Sequence, residues 1–308
     1  MPKEYIIVCP CYNEEMVIAH FLDELEDKLY AIDSNFVVVV VDDASSDGSL
    51  DVLKNYNFRS DKFILRLIRM NFNMGHQESI RQGLIYAHRI SNSANGIIVM
   101  DSDGEDDPKA IIELSKIDSF DIVQVTRGKR QETIKFKLGY FLYKLLFRVL
   151  TGNKISFGNY SLISFDVLNS VIKQKFFHYS AFLSKQKFTI TSIRYDRQKR
   201  LDGNSKMNYQ RLIFHGLYSL IEYSEEVLYF MMKAFLILLF FLVGIIGYVL
   251  YSKFISQEAI QGWASSVGSS LVITCLIIVS TIIVGLLLLS IKKLIVLNQT
   301  AESYEQIR

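Results

Sequence analysis

Cysteine is scarce in this sequence, and its scarcity excludes two kinds of protein. The 308 residues include three cysteines, Cys9, Cys11 and Cys275, and five histidines. Three cysteines cannot build a disulfide framework, and no cysteine–histidine spacing matches a zinc site. We therefore expect reduced thiols in a cytosol-facing protein. We also expect no secretory signal peptide, because Lys3 and Glu4 lead directly into a strand-like run.

A net charge of one sign is missing as well, but only when the chain is taken as a whole. The formal charge is +2. Residues 1–125 hold 11 basic and 22 acidic residues, a net charge of −11, whereas residues 126–308 hold 23 basic and 10 acidic residues, a net charge of +13. Half of all residues are apolar, which excludes a disordered chain. The charge asymmetry predicts a charged partner for one part of the chain.

Two long runs in the second half contain no charged residue. Residues 234–251 and 271–291 are 18 and 21 residues long, and lysines flank them at Lys233, Lys253 and Lys292. Each can cross a hydrocarbon core of about 30 Å as a helix, and the short link predicts a hairpin. The alternative is a pair of buried core helices. The basic residues lie mainly outside the link, so we expect a multi-pass protein of the inner (cytoplasmic) membrane with its N-terminal part and C-terminus cytoplasmic.

The first 125 residues alternate between strand-like and helix-like segments. Runs rich in Val and Ile predict strands at 5–9, 36–41, 63–68, 96–100 and 121–125, and helical patterns cover 14–30, 49–56, 75–90 and 108–115. Continuous apolar strands separated by helices predict an α/β fold, a mostly parallel sheet with helices on both faces. Ligands of such sheets bind beyond the carboxyl ends of the strands.

Acidic loops follow three of these predicted strands, beginning at Pro10, Asp42 and Asp101. Asp101 and Asp103 lie two apart at a strand end, so both can present oxygens to one hard cation. Mg²⁺ or Mn²⁺ takes one or two carboxylates together with substrate phosphates and water. A single acidic loop is more often a solvated turn, but three at successive strand ends predict a metal–phosphate site.

Two other functions of such sheets are excluded. A dinucleotide-binding fold requires G-x-G-x-x-G after the first strand, where this chain has Cys9-Pro10-Cys11-Tyr12-Asn13-Glu14-Glu15. A receiver domain also clusters acids at strand ends, but it would not carry a helical hairpin and a basic second half.

Five motifs occur in an order that resembles one known family. They are Pro10-x-Tyr12-Asn13-Glu14-Glu15, Val41-Asp42-Asp43-x-Ser45-x-Asp47-Gly48, Asn73-x-Gly75, Asp101-x-Asp103 and Arg200-x-x-Gly203-x-Ser205-Lys206. The set resembles the inverting family-2 glycosyltransferases with a GT-A (Rossmann-like) fold. It is most similar to the branch of dolichol-phosphate mannose synthase and the bacterial polyprenyl-phosphate glycosyltransferases with two C-terminal membrane helices. The resemblance extends from residue 5 to about residue 292.

The resemblance implies roles for individual residues. A nucleotide-sugar donor would be held by Pro10, Tyr12, Glu14, Val41, Asp43 and Ser102. Asp101 and Asp103 would engage its diphosphate through Mg²⁺ or Mn²⁺, with Glu105 as a further ligand where relatives often carry Gln. Contacts to substrate phosphates would come from Arg127, Arg130, Arg200 and Lys206, with Ser205 as an extra donor.

Two positions depart from the family pattern. Asp107 replaces the first of two family prolines, and Gly158-Asn159-Tyr160-Ser161 stands where many relatives have an Asp-Phe-Arg-like sequence on the acceptor side. The sequence therefore defines the chemistry of the acceptor less well than that of the donor.

Basic residues dominate from Arg127 to Arg211, with 18 lysines and arginines against four acids. Residues 133–150 predict a basic amphipathic helix of the kind that lies in a membrane interface; the alternative is a structural helix with a solvated basic edge. Residues 207–232 predict a juxtamembrane helix. Nucleic acid would also fit a basic surface, but not its fusion to two membrane spans, so no nucleic-acid partner is expected.

Together these features predict an inverting transfer of a sugar from a UDP- or GDP-linked donor to polyprenyl phosphate, for modification of a cell-envelope glycan such as lipopolysaccharide. Two alternatives stay open: transfer to a hydroxyl of a lipid-linked glycan, with Asp106 or Asp107 as the base, and a non-catalytic membrane scaffold. The expected segments are a donor-binding core (1–130), an acceptor-side and interface region (131–232), two transmembrane helices (233–292) and a cytoplasmic tail (293–308). Small residues such as Gly285 would also allow a homo-oligomer.

Overall fold

The chain forms two compact units. The structure, a computed structural model, describes residues 2–91, 94–127, 134–153, 158–196, 198, 209–256, 262–298 and 304–307. The first unit comprises Met1–Tyr143, Ile155–Glu222 and Thr300–Arg308, and the second comprises Lys144–Lys154 and Tyr223–Gln299. The four segments expected from the sequence stay a prediction.

One eight-stranded sheet organises the first unit. Its strands are β1 (Lys3–Cys11), β2 (Ser34–Asp42), β3 (Phe63–Met70), β4 (Gly96–Val99), β5 (Ile122–Arg127), β6 (Ser161–Ile163), β7 (Ile190–Tyr195) and β8 (Tyr304–Gln306). Their order across the sheet is β7-β5-β6-β4-β1-β2-β3-β8. Strand β1 pairs in parallel with β2 and β4, β2 with β3, and β5 with β7. The predicted mostly parallel sheet is confirmed.

Helices cover this sheet and continue into the second unit. They are α1 (Ile18–Leu29), α2 (Ser49–Asn55), α3 (His76–Ile90), α4 (Ala110–Leu114), α5 (Ile134–Thr151), α6 (Phe165–Val171), α7 (Tyr179–Lys185), α8 (Tyr209–Glu222), α9 (Ser224–Phe254) and α10 (Trp263–Asn298). The strands and helices predicted in the first 125 residues are all found, with ends that differ by at most four residues.

Alternate residues of the central strands pack into two apolar layers. Ile7 and Val40 are fully buried in the layer that contains helices α1 and α4. Their sequence neighbours Val8 and Val41 are fully buried in the opposite layer, which contains helices α3 and α7. Each such side chain contributes about 1.5–3 kcal/mol by leaving water. Burial on both faces explains why these strands are continuous apolar runs.

Strand β6 was not predicted, and it changes the order of the sheet. It lies between β4 and β5 and pairs antiparallel with both, so that Ser161 is opposite Val99 on one side and Gln124 on the other. A strand of three residues is too short to show an alternating pattern in the sequence. Its start beside the last residue of β4 brings residues 158–160 to the carboxyl edge of the sheet.

Strand β8 was also not predicted, and it covers the β3 edge of the sheet. It pairs antiparallel with β3, and the N–H of Ile307 donates to the carbonyl of Leu67 (2.8 Å). The hydroxyl of Tyr304 accepts from the guanidinium of Arg89 (3.0 Å), and its ring packs edge-on against Tyr86. Residues 304–307 therefore belong to the sheet, although residues 293–308 were expected only as a tail.

Two long apolar helices form most of the second unit. Helices α9 and α10 contact each other. Among the residues that the structure describes, these are the two helices long and apolar enough to cross a membrane. Their apolar windows have mean hydropathies of 2.6 and 3.0, and almost none of the residues in these windows are buried. Gly285 allows close packing, because a Cβ there would lie 3.0 Å from Leu228 Cδ1.

The single juxtamembrane helix predicted at 207–232 is wrong, because the structure divides that segment at Tyr223. Helix α8 ends at Glu222 and α9 begins at Ser224. The ring of Tyr223 is buried and packs edge-on against Phe147, with ring centroids 5.1 Å apart. The carboxylate of Glu222 accepts the N–H of Phe177 (2.9 Å). Buried contacts on both sides of the break thus override the helical pattern of the sequence.

Gly83 in helix α3 permits the close approach of this helix to the sheet. A methyl group at this position would overlap Cγ1 of Val8 and lie 2.9 Å from Cγ2 of Val41. Both neighbours are fully buried, so they have little room to move.

We expect Gly83→Ala to destabilise the fold by about 1–3 kcal/mol, because the added methyl overpacks the core. Gly139→Ala is the matched control, since a Cβ there meets no atom within 4 Å and alanine favours a helix by up to about 1 kcal/mol. Thermal unfolding of the detergent-purified chain measures both. Equal unfolding temperatures for Gly83→Ala and the unmodified chain would contradict this account.

Candidate active site

Reciprocal hydrogen bonds join the loops that follow β1 and β2. The N–H of Asn13 donates to Ser45 Oγ (3.0 Å), and the N–H of Ser46 donates to Asn13 Oδ1 (2.8 Å). The N–H of Glu14 donates to Ser49 Oγ (2.8 Å). Asn13 and Ala44 both have φ of +53°. A left-handed non-glycine residue costs on the order of 1 kcal/mol, so these bonds hold the two loops in a geometry that they would not adopt alone.

A buried carboxylate, that of Asp43, ties the loop after β2 to the loop before α3. Its side-chain oxygens accept the N–H groups of Met74 and Gly75, both at 2.8 Å. Burial raises the pKa of Asp43, while the two N–H groups act to lower it. Gly75 has φ of +90°, which explains the glycine of the Asn73-x-Gly75 motif. The loops after β1, β2 and β3 are therefore joined in series.

Pro10 and Val41 form part of the sheet beneath this edge. They are paired in the parallel register of β1 and β2, and both are buried. The carbonyl of Pro10 accepts from the hydroxyl of Ser102 (2.7 Å), which ties the loop after β4 to β1. Tyr12 lies just beyond, and 41% of this residue is exposed. Among the residues expected to bind the donor, the structure thus brings together the ends of β1, β2 and β4.

Residues 101–107, which we call the acidic loop, are bent rather than extended. Strand β4 ends at Val99, so the expectation that Asp101 and Asp103 project like alternate residues of a strand does not apply. The N–H of Asp101 donates to Asp106 Oδ2 (3.1 Å), and the N–H of Glu105 donates to Asp103 Oδ1 (3.0 Å). Asp106 is buried, whereas Asp101, Asp103 and Glu105 are half-buried. The turn itself sets the positions of the three expected ligands.

His76 lies directly against the acidic loop, and the sequence analysis missed it. Its Nε2 is 3.3 Å from Oδ1 of Asp101 and 2.8 Å from Nδ2 of Asn159. Desolvation by its surroundings acts to lower the pKa of His76, but the carboxylates of the acidic loop, Asp101 foremost, raise it above its ordinary value. The sequence offered one signal for this residue, its position directly after the Asn73-x-Gly75 motif.

The residues of the acidic loop fit a hard divalent cation. The negative field of the loop extends to its neighbours, since burial raises the pKa of Tyr160 and Asp106 raises it further. In the described part of the chain, no three His, Cys, Asp or Glu side chains are grouped as ligands of one ion. Mg²⁺ requires only one or two protein carboxylates when diphosphate oxygens complete its coordination, so Asp101 and Asp103 suffice.

The chain was compared with known proteins. The model of the family described as Glycosyl transferase family 2 matches residues 6–174, more than half of the chain. The chain belongs to this family. The match includes the loops after β1, β2 and β4, and it shows that this glycosyltransferase is an enzyme of the class predicted from its motifs.

Relatives of this glycosyltransferase extend the match beyond the family model. The uncharacterized glycosyltransferase YkcC of Bacillus subtilis (strain 168) is 26% identical over 293 residues, 92% of this chain and 87% of the relative. The undecaprenyl-phosphate 4-deoxy-4-formamido-L-arabinose transferase of Yersinia pestis (strain Pestoides F) is 26% identical over 229 residues, 71% of this chain and 67% of the relative.

Solved structures confirm the GT-A fold of the glycosyltransferase. Mannosyl-3-phosphoglycerate synthase from Rubrobacter xylanophilus superposes with a TM-score of 0.54 at 12% identity, covering 73% of this chain and 74% of that one. Glucosyl-3-phosphoglycerate synthase from Mycobacterium tuberculosis, in complex with Mn²⁺, UDP-glucose and phosphoglyceric acid, superposes with a TM-score of 0.52 at 13% identity, covering 73% and 80%.

The structure describes little of the residues that are expected to contact substrate phosphates in this glycosyltransferase. Arg127 is the last residue of β5, so its backbone is positioned at that strand's end. Its side chain, together with Arg130, Arg200, Ser205 and Lys206, lies outside the described residues. The N–H of Gln198 donates to the carbonyl of Glu105 (3.0 Å), so the chain contacts the acidic loop two residues before Arg200.

We expect Asp103→Ala to lower sugar transfer by at least about 100-fold, the loss seen when one electrostatic contact to a developing charge is removed. Asp61→Ala is the control, because Asp61 is exposed and precedes β3 at the opposite edge of the sheet. Release of nucleoside diphosphate measures turnover, and thermal unfolding reports on folding. Full turnover in the folded Asp103→Ala variant would remove the proposed role of this carboxylate.

Proposed function

We propose that the chain is a membrane-bound inverting glycosyltransferase that moves a sugar from a UDP- or GDP-linked donor to polyprenyl phosphate. The observation that carries this proposal is the acidic loop at the carboxyl edge of a GT-A sheet, in a chain that also has two exposed apolar helices. The name of the Yersinia relative supports the acceptor, and the Mn²⁺ and UDP-glucose of the Mycobacterium structure support the donor and cation.

The donor is held at the joined ends of β1, β2 and β4. In this proposal Pro10, Val41 and Asp43 form the base of the nucleoside site, and the half-exposed Tyr12 packs against the nucleoside. Glu14 and Ser102 lie on the loops that border it. The hydrogen bonds between these loops hold the donor site in shape before the donor binds, which lowers the ordering cost of binding.

The departing diphosphate gains negative charge, which the cation held by the acidic loop would neutralise in part. Asp101 and Asp103, with Glu105 as a further ligand, would hold Mg²⁺ or Mn²⁺, which supplies the positive charge that stabilises the leaving group. Arg127, Arg130, Arg200, Ser205 and Lys206 would contact substrate phosphates. A lipid phosphate is already an anion, so this reaction needs positioning rather than a general base. Asp106 fits that view, since it is buried and accepts the N–H of Asp101.

The two apolar helices support attachment to a membrane. Exposed side chains such as Leu236 and Phe240 would contact lipid, and Lys233 and Lys253 would lie near the two surfaces of the bilayer. Helix α5 also exposes Phe141, Leu142 and Leu145, as an interfacial helix would.

Strand β8 supports a hairpin with both ends on one side of the membrane. It follows α10 in the chain yet pairs with β3, which precedes α9. Two strands can exchange backbone hydrogen bonds only within one compartment, so an even number of crossings must separate them. The excess of basic residues outside the link supports a cytoplasmic position for that compartment and an inner-membrane position for the helices.

The purified full-length chain with Mn²⁺, undecaprenyl phosphate and a panel of radiolabelled UDP- and GDP-sugars tests this proposal. We expect one donor to give a lipid-linked sugar that mild acid releases, as a sugar–phosphate–lipid bond requires. Chelation of the divalent cation by EDTA should abolish the product, and added Mn²⁺ should restore it.

Two results would contradict the proposed acceptor. A product that resists mild acid, obtained with a lipid-linked glycan in place of the lipid phosphate, would indicate transfer to a hydroxyl. No transfer with any donor, together with no nucleotide binding in calorimetry, would indicate a non-catalytic scaffold.

A further inference from the structure

Gln198 joins two parts of the first unit that are far from it in the sequence. Its backbone N–H donates to the carbonyl of Glu105 in the acidic loop (3.0 Å), and its side-chain Nε2 donates to Oε1 of Glu24 on helix α1 (3.1 Å). The two bonds use different atoms of Gln198, so both can be made at once. Because β7 ends at Tyr195, the chain is held at two points soon after it leaves the sheet.

Both partners of Gln198 belong to parts of the fold that are themselves fixed. Helix α1 carries Glu24 and is held on the sheet by fully buried residues such as Phe21 and Leu25. The carbonyl of Glu105 belongs to the acidic loop, which its own hydrogen bonds hold in a bent shape. Gln198 and Glu24 are half-buried, so their hydrogen bond is stronger than one in open solvent.

This doubly held residue lies close in the chain to a residue expected to contact a substrate phosphate. Gln198 is the one uncharged residue in the run Arg197-Gln198-Lys199-Arg200, whose arginine at 200 lies outside the described residues. Two residues of extended chain span about 7 Å at most. The position of Gln198 therefore limits how far the backbone of Arg200 can be from the acidic loop.

We propose that Gln198 is a positioning residue that holds the backbone before Arg200 beside the acidic loop, with Glu24 as its anchor on α1. The inference rests on the proposed function, which assigns Arg200 to a substrate phosphate. It deepens that function, because an arginine whose backbone is held near the phosphate before binding loses less freedom when the donor binds.

Binding of UDP and of GDP, each with Mn²⁺, to the full-length detergent-purified chain tests this inference in calorimetry. We expect Gln198→Ala to weaken nucleotide binding by about 2–10-fold, the effect of one part-buried hydrogen bond. Binding of Mn²⁺ alone should stay unchanged, because the variant keeps the N–H that holds Glu105. An equal loss for Mn²⁺ alone would show that the variant disturbs the acidic loop and would overturn the inference.

Gln174 provides a matched control outside the site. It is an exposed glutamine that also lies between two basic residues, Lys173 and Lys175. We expect Gln174→Ala to leave nucleotide binding unchanged, and both glutamine variants should keep the unfolding temperature of the unmodified chain. An equal loss of nucleotide affinity in the two variants would overturn the inference.

Substitutions of Glu24 separate the hydrogen bond from the charge of its acceptor. Glu24→Ala removes the acceptor and should weaken nucleotide binding as much as Gln198→Ala, whereas Glu24→Gln keeps an acceptor oxygen and should bind like the unmodified chain. Gln198→Glu brings two carboxylates together and should bind more weakly still. The double variant Glu24→Gln, Gln198→Glu exchanges donor and acceptor, so it should recover most of that affinity. A double variant without recovery would contradict the proposed contact.

Trypsin, which cleaves after Lys199 and Arg200, tests the anchor without any ligand. We expect Glu24→Ala to be cleaved at these sites about 2–10-fold faster than the unmodified chain, because loss of the anchor raises the share of molecules in which they are accessible. The cleaved sequence is the same in both chains, and Glu24→Gln is the matched control. Equal rates in Glu24→Ala and the unmodified chain would show that Glu24 anchors nothing.

The proposed function and this inference fail in different ways. If Arg200→Ala weakens nucleotide binding and Gln198→Ala does not, the inference is wrong and the phosphate role of Arg200 stands. If Arg200→Ala binds as tightly as the unmodified chain, or neither nucleotide binds, both are overturned. In the Arg200→Ala background, Gln198→Ala should add no further loss, since Gln198 acts through Arg200, and losses that multiply would overturn the inference.

Discussion

Carboxylates gathered at one edge of a sheet repel one another, and in this protein hydrogen bonds from backbone N–H groups make the gathering tolerable. Asp43 accepts from Met74 and Gly75, Asp106 accepts from Asp101, and Asp103 accepts from Glu105. A buried carboxylate without such donors would cost several kcal/mol or take up a proton. Because the bonds of Asp43 join separate loops, the interactions that permit the negative charge also determine the shape of the site.

The acids of this edge divide into two groups by burial. Asp42, Asp43 and Asp106 are buried and hold the backbone, whereas Asp101, Asp103 and Glu105 are half-buried at its surface. Asp42 also lies 3.5 Å from the guanidinium of Arg69. The two groups of carboxylates therefore have different roles. The inner ones order the loops, and the outer ones lie where the proposed cation would bind the diphosphate. Removing an inner acid should thus disturb the folding of the loops, including the part of the proposed donor site that Asp43 forms, whereas removing an outer acid should affect the chemistry.

The sequence was sufficient for the parts of the fold that rest on repeated local patterns. Strands rich in Val and Ile, the helices between them and the two long apolar helices were all predicted, because each contains enough residues to show its periodicity. Strands β6 and β8 have three residues each, and their places depend on distant partners. The contact of His76 with Asn159 joins residues 83 positions apart, and no local sequence pattern predicts it. The motifs located the acidic loop, but its bent conformation follows from hydrogen bonds that only the folded chain reveals.

Strand β8 would have a consequence for how the enzyme meets the lipid substrate proposed for it. A catalytic domain joined to a membrane by one segment could swing widely about that single attachment. Here the chain leaves the first unit before α9 and returns to it through β8, which is fastened by β3, Arg89 and Tyr86. If α9 and α10 span a membrane as proposed, a chain held at both ends of this helical pair would have less freedom than one held at a single end. For the proposed lipid-phosphate acceptor, the local concentration at the acidic loop would then depend on the geometry of the chain as well as on affinity.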